Sequence, residues 1–307
     1  MGIKIIVNGY FRSGTTLTWK SIKTLLPNYY CFYEPLHPKI AVLIKMAGKE
    51  RSKDLLHGEF LWEDYLQLSE GELDKILNNH PNLSSEGITN EASLLCYLDQ
   101  YDQLNKSVLL QPNRMHFFLT TASKKYDAKI IHVIRHPLDV LESMKTTYLK
   151  DSSIIFRLIK RLGFIWGFQK MNSFELDKNY KWILKHKGYP SQESFFFHFF
   201  RELDYFGKFV VVWTISNYYA MRSLEQNKGL LLIYEKLTEN PDKELKEVCK
   251  YLNIEYKNKN NVKKNNSFKF KKKNTSRFLE KVKEYGIEKE FEYINSRLSK
   301  MGTKYFP

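Results

Sequence analysis

Cysteine is scarce in this chain: 307 residues contain three, Cys31, Cys96 and Cys249. Their odd number and wide spacing exclude a disulfide framework and a CxxC zinc site. They suit free thiols in a reducing compartment. Long apolar runs are also missing. The longest, Phe209 to Trp213, is far short of the ~20 residues that span a bilayer. No basic segment followed by an apolar core opens the chain, as a secretory signal would. After the Met-Gly start, Ile6 occupies the place where N-myristoylation wants Ser or Thr. These absences together lead us to expect a soluble, cytoplasmic protein, with peripheral membrane contact left open and no transmembrane segment. Glycine (14) and proline (9) are too few for a collagen-like design. Acidic residues are the minority charge. Lys and Arg total 49 against 34 Asp and Glu, a net charge of +15, which calls for an anionic partner. What is plentiful is apolar surface, at 43% of residues, enough for a sizeable core and too much for global disorder.

No internal repeat is present. The pattern alternates strands with helices. Ile3 to Val7 is a nearly continuous apolar run, as a strand buried on both faces requires. A loop over Gly9 to Gly14 precedes a helix expected from Thr15 to Leu26, stopped by Pro27. Further strands are expected at Tyr29–Tyr33, Ser107–Gln111, Lys129–Ile134 and Leu230–Glu235. Further helices are expected at Leu55–Leu77, Pro137 to about Leu149, and Pro241–Leu252. Within the first of these, Ser69-Glu70-Gly71-Glu72 reads as a capping box. The expected fold class is α/β, a P-loop-type three-layer arrangement with a central, mainly parallel sheet of about five strands flanked by helices. We expect one domain over residues 1–307, with acceptor-site or lid insertions at about 40–106 and 151–206 and a solvated basic loop at about 256–277. Ligands of such sheets bind beyond the carboxyl ends of the strands, where Tyr10 to Thr16, Glu34, Arg135 and Tyr234 fall.

The segment Gly9-Tyr10-Phe11-Arg12-Ser13-Gly14-Thr15-Thr16 has the strand–loop–helix setting of a phosphate-binding loop. Glycines let backbone N–H groups approach an anion. The helix N-terminus adds about half a positive charge, and the hydroxyls of Ser13, Thr15 and Thr16 add donors. An ordinary turn with an N-capping hydroxyl is the simpler alternative. A nucleotide triphosphatase loop would carry lysine where Thr15 stands, and the later strand ends in Arg135 rather than a magnesium-binding aspartate. The loop therefore suits an anion but lacks the usual equipment of ATP chemistry.

A second constellation follows the strand at Lys129–Ile134. Arg135 leaves the strand end and Ser143 lies on the next helix, leaning back toward its N-terminus. An Arg and a hydroxyl can hold a second phosphate. Alone, an Arg at a strand end is equally a surface ion-pair partner.

Taken together these residues resemble the signatures of sulfotransferases that use 3′-phosphoadenosine 5′-phosphosulfate (PAPS), releasing PAP. The resemblance implies that Arg12, Ser13, Gly14, Thr15, Thr16 and Leu17 hold the 5′-phosphosulfate, and that Arg135 and Ser143 hold the 3′-phosphate. Tyr234-Glu235-Lys236-Leu237-Thr238-Glu239-Asn240-Pro241 is similar to the family's YExLxxNP segment, which implies that Tyr234 contacts the adenine. Phe32-Tyr33-Glu34-Pro35-Leu36 resembles the EPL segment of carbohydrate sulfotransferases, and tyrosylprotein sulfotransferases carry a catalytic glutamate at a similar distance from the loop. The chain departs from the family at Gln111, where a lysine is frequent, and at Asn274-Thr275-Ser276-Arg277, a weak counterpart of the C-terminal 3′-phosphate segment.

The implied activity is transfer of the sulfuryl group from PAPS to a hydroxyl acceptor, of carbohydrate or glycolipid type, by metal-independent in-line displacement. Arg12 is the candidate for neutralising charge on the leaving group. Glu34 is the candidate general base, with His116 and His136 as rivals. Two other classes stay open on these residues: a P-loop kinase or hydrolase, and a basic nucleic-acid binder using the Lys-rich stretch Lys257 to Arg277 with Phe268 and Phe270 interleaved. No nucleic-acid fold motif accompanies that stretch, so we expect no nucleic-acid partner. Residues 154–171 have the pattern of a basic amphipathic helix, suited to core or lid packing or to a membrane surface.

Overall fold

A computed structural model describes residues 1–47, 61–81, 90–150, 176, 179–184, 204–256 and 273–306. The basic amphipathic pattern at 154–171 and most of the Lys-rich stretch lie outside them. The chain divides into two compact units, one within Met1–Leu83, Asn90–Arg135 and Tyr219–Ser267, the other within Ser84–Thr89, His136–Tyr218 and Phe268–Pro307.

The first unit is built on β1 (Gly2–Gly9), β2 (Tyr29–Tyr33), β3 (Ser107–Gln111), β4 (Lys129–Ile134) and β5 (Leu230–Ile233). They form one sheet in the order β2-β3-β1-β4-β5, and every pairing is parallel. The register aligns the strand ends. Tyr33 pairs with Gln111, Gly9 with Val133, and Ile134 with Ile233. The strands therefore stop at one edge, and whatever residue comes next in each is delivered to the same rim.

Both faces of the sheet are covered, as the apolar runs require. Ile5, Val7, Cys31, Leu109, Ile131, Val133 and Leu232 face Trp19 and Ile22 of α1 (Thr15–Lys23), Leu237 of α8 (Tyr234–Glu239), and Leu245, Val248 and Leu252 of α9 (Pro241–Leu252). On the opposite face α4 (Glu91–Asp102) packs on β1, and α5 (Leu119–Tyr126) packs on β1 and β4. There Phe32 meets Tyr65 and Tyr101 with ring centroids 4.7 and 5.1 Å apart. Truncating a side chain as buried as Ile22 to Ala costs about 2–5 kcal/mol.

Local chemistry sets the helix ends. Asn240 caps α9 by accepting from the N–H of Lys243, Pro241 opens the helix, and Asn253 closes it in the left-handed region at φ 60°. Asn90 caps α4 through the N–H groups of Ala92 and Ser93. The helix expected over Leu55–Leu77 does not exist as one piece. Its residues from 61 form a 3-10 turn at Glu63–Gln67, and α3 runs from Glu70 to Asn78. The capping box is the reason. Ser69 holds extended φ/ψ while its hydroxyl accepts from the N–H of Glu72 and the Glu72 carboxylate accepts from the N–H of Ser69. A capping box begins a helix and cannot sit inside one. α1 ends at Lys23, and i→i+3 bonds carry the chain on to Leu26. The fifth strand stops at Ile233, two residues sooner than expected, and Tyr234 opens α8 instead. α2 (Ile40–Met46) comes after the Glu-Pro-Leu segment.

The second unit contains α6 (Pro137–Lys150), α7 (Tyr205–Gln226) as far as Tyr218, α10 (Lys273–Glu284) and α11 (Glu288–Lys300). Its aromatic core gathers on Phe278, whose ring lies 5.1 Å from Phe306, 5.7 Å from Phe291 and 6.0 Å from Trp213. Asn274 to Arg277 open α10, so this end of the basic stretch is helical rather than a loop. Arg277 bonds Asp204 at 3.0 Å and lies over Phe206. Among the described residues no helix is long and apolar enough to cross a membrane.

Candidate active site

Five separate strand ends meet at the rim of the first unit. Phe11, Arg12, Gly14, Thr15, Thr16 and Leu17 line a cavity there together with Tyr33, Glu34, Asn113, Arg135 and Tyr234. Arg12 and Gly14 hold left-handed backbone, at φ 67° and 91°, which turns the chain sharply between β1 and α1. Gly14 occupies the N-cap position of α1, no side chain among the described residues caps that helix, and its first turn contains no acid. Its N–H groups thus keep the partial positive charge that a capping side chain would otherwise satisfy. Ser13 is buried, and its Oγ has no hydrogen-bond partner among the described residues.

Gly14 is required by its neighbour. A Cβ there would come within 2.1 Å of Cδ2 of Tyr234. The guanidinium of Arg135 lies 4.5 Å from the centre of the same ring and donates to the Arg12 carbonyl at 3.0 Å. It is buried, and its Nε has no partner among the described residues. A buried cation with an unmatched donor favours an anionic ligand over an apolar one. Thr16 and Tyr33, which also line the cavity, share a hydroxyl–hydroxyl bond of 2.9 Å.

Glu34 follows β2 with φ 40°, another left-handed residue. Its carboxylate accepts from Asn113 Nδ2 at 2.8 Å and lies 3.8 Å from the guanidinium of Arg114, which stacks over Phe11. Beneath this segment the Tyr65 hydroxyl reaches the Tyr33 carbonyl, and the Tyr97 hydroxyl donates to the Pro35 carbonyl at 2.7 Å. Tyr101 joins the two hydroxyls. Burial pushes all three phenols well above their usual range, so they stay neutral donors.

The rival bases have other duties. His116 lies in the core, 3.0 Å from the amide nitrogen of Asn8, which is also 3.2 Å from His132. An amide N–H only donates, so both ring nitrogens accept. Burial, then the neighbouring His132, push His116 down to about 3. His136 Nδ1 accepts from the Leu138 N–H, and Nε2 therefore carries the proton toward the Tyr305 carbonyl at 3.0 Å. Neither lines the cavity. Ser143 lies half-buried on α6, in the second unit.

The profile described as "Sulfotransferase domain" matches residues 3–306. This chain belongs to the sulfotransferase family. As a sulfotransferase it is a transferase of sulfuryl groups, which removes the kinase and nucleic-acid-binder alternatives as primary readings. An uncharacterized protein of Archaeoglobus fulgidus is 28% identical over 263 residues, covering 78% of this chain and 81% of that protein. Among solved structures, the sulfotransferase domain from the curacin biosynthetic pathway is 15% identical with a TM-score of 0.44, covering 100% of this chain and 99% of its own. The sulfotransferase domain of the Synechococcus PCC 7002 olefin synthase is 18% identical, with a TM-score of 0.41 and coverage of 83% and 74%.

The cavity also contains Tyr33 and Asn113, which the sequence reading did not single out as site residues; Phe11 fell within the Tyr10 to Thr16 stretch that it did. Tyr33 ends β2, so the rule that strand ends carry the site could have found it; Asn113 lies two residues past β3, beyond Pro112. Gln111, read only as a departure from the family, is buried beneath Glu34.

Proposed function

We infer that this sulfotransferase draws its sulfuryl group from PAPS and moves it to a hydroxyl on a carbohydrate or glycolipid by metal-independent in-line displacement. The observation that carries the reading is one cavity lined by the first turn of α1, whose N-cap Gly14 has no side chain to cap it, and by Arg135, a buried cation whose Nε has no partner among the described residues. These are the groups an anionic 5′-phosphosulfate needs, and they fit it on their own chemistry. Bound there, PAPS supplies a sulfuryl group already activated by a phosphate leaving group.

The chain's residues divide the work. The N–H groups of Gly14 to Leu17, with the hydroxyls of Ser13, Thr15 and Thr16, bind the phosphosulfate. Arg12 neutralises the charge that grows on the leaving oxygen. Arg135 binds the 3′-phosphate, and Tyr234 offers its ring to the adenine. The role of Ser143 as a second 3′-phosphate ligand rests on the motif alone. Glu34 takes the proton of the acceptor hydroxyl, a contribution of about 10²–10⁴-fold for a well-placed base. It is the carboxylate on the cavity wall, whereas both histidines are engaged elsewhere. The Glu34-Pro35-Leu36 match supports the carbohydrate class of acceptor. The three free cysteines support a cytoplasmic setting.

A thermal-shift comparison tests the donor. PAP should raise the melting temperature with or without EDTA, while ATP with Mg²⁺ and an oligonucleotide should not match it. Stabilisation by ATP–Mg²⁺ alone would reject the reading. A mass-spectrometric screen of hydroxyl acceptors with PAPS then tests the acceptor class, which fails if glycans and glycolipids stay unsulfated while other hydroxyl compounds gain the group.

A further inference from the structure

Three hydrogen bonds run head to tail around Glu34. Its backbone N–H donates to Gln111 Oε1 at 3.3 Å, besides the Gln111 carbonyl at 3.0 Å. Gln111 Nε2 donates to Asn113 Oδ1, and Asn113 Nδ2 donates to Glu34 Oε1 at 2.8 Å. The ring admits one orientation of each amide. A backbone N–H can only donate and an ionised carboxylate can only accept, so both ends dictate how Gln111 and Asn113 point. Gln111 and Asn113 are buried, so the ring is sheltered from water. Glu34 and Asn113 both hold left-handed backbone, at φ 40° and 56°. Such strain persists where surroundings over-determine it.

We propose that Gln111 and Asn113 are positioning residues for the sulfotransferase base: they hold Glu34 ionised and fix which way its carboxylate faces. The proposal rests on the reading of Glu34 as the base. Asn113 stabilises the charged form of the carboxylate through a donated N–H. With Oε1 bonded to Asn113 and Oε2 3.8 Å from Arg114, the carboxylate is oriented from both sides. Gln111 touches neither reacting group and acts through Asn113 and the Glu34 backbone. Charged and titratable groups near the carboxylate include Arg114 at 3.8 Å, the Tyr65 phenol, His37, whose backbone N–H donates to the Glu34 carbonyl, and Arg12 and Arg135, which line the same cavity.

The substitution Asn113→Asp keeps the shape and replaces the donor with an acceptor. Two carboxylates then face each other, which disfavours ionisation of both. The test measures kcat against pH for the wild type, Asn113→Asp, Gln111→Glu and Glu34→Gln, with PAP affinity and melting temperature alongside. Asn113→Asp should cut kcat at neutral pH by tenfold or more and move the acid limb upward by a unit or more, a shift in the pH profile that a loss of donor affinity alone would not produce. Gln111→Glu should move the limb the same way but less. A dead Glu34→Gln beside an unshifted Asn113→Asp profile would overturn the relay while leaving the base in place. An active Glu34→Gln would remove the base, and the relay's catalytic role with it. If Asn113→Asp fails to fold, Asn113→Ser with the same readouts decides, since it keeps a short donor and should retain more turnover than Asn113→Ala.

Discussion

The α-carbon of Gly14 rests against the ring of Tyr234, although 220 residues separate them in sequence. The contact joins the loop after β1 to the start of α8 and leaves no room for a side chain at position 14. The φ of 91° at Gly14 would strain any other residue as well. Gly14→Ala should therefore displace the Tyr234 ring or the loop. We expect PAP affinity to fall at least tenfold, read by calorimetry, with the fold retained by circular dichroism. Unchanged affinity would show that loop and ring are not a joint cofactor surface.

Arg135 is buried and its Nε has no partner among the described residues, so its removal should cost ligand binding more than stability. Charge-assisted hydrogen bonds contribute about 1.5–3 kcal/mol each, so Arg135→Ala should weaken PAP by roughly 10- to 100-fold. Lysine at this position keeps charge but not the flat guanidinium that stacks 4.5 Å from Tyr234. Arg135→Lys should recover only part of the loss. Equal affinity in Arg135→Ala and wild type would detach this residue from the donor site.

Glu34→Gln preserves size and one acceptor while removing the carboxylate we propose as the base. Turnover should fall by about 10²-fold or more, in keeping with general-base contributions, while PAP affinity stays near wild type. Near-normal turnover in single-turnover assays would return the role of base to another group.

Stability should respond to acid through His116. Its folded value of about 3 lies below an unfolded value near 6.5, so the unfolded chain binds the extra proton between them. The stability associated with the neutral ring is present above pH 6.5 and is lost as pH falls toward 3. The slope from this group is about 1.4 kcal/mol per pH unit at most. Urea melts at pH 7 and pH 5 should show the loss, and His116→Gln should flatten it. An identical pH dependence in the variant would contradict the buried neutral assignment.

Much of the fold was legible from residues alone, for reasons the structure makes plain. Continuous apolar runs gave β2, β3 and β4 their full bounds, because strands buried on both faces leave no other pattern. The loop over Gly9 to Gly14 and Arg135 were legible because strand-end chemistry is local. Asn113 was not. It is one polar residue after a proline, and it gains meaning only because Tyr33 and Gln111 are paired in the sheet, which sets Glu34 beside a residue 79 positions away. The helix expected over Leu55–Leu77 failed for a related reason: apolar spacing continues through Glu63–Gln67, but Ser69 commits its backbone to a cap.

The central claim is that one rim of this sheet holds the donor nucleotide by the α1 N-terminus at one end and Arg135 at the other. Co-crystallisation with saturating PAP in the presence of EDTA tests it most directly. The account predicts the 5′-phosphate on the N–H groups after Gly14 and the 3′-phosphate within hydrogen-bond reach of Arg135. An empty rim at saturation, or a nucleotide bound elsewhere on the molecule, would contradict it.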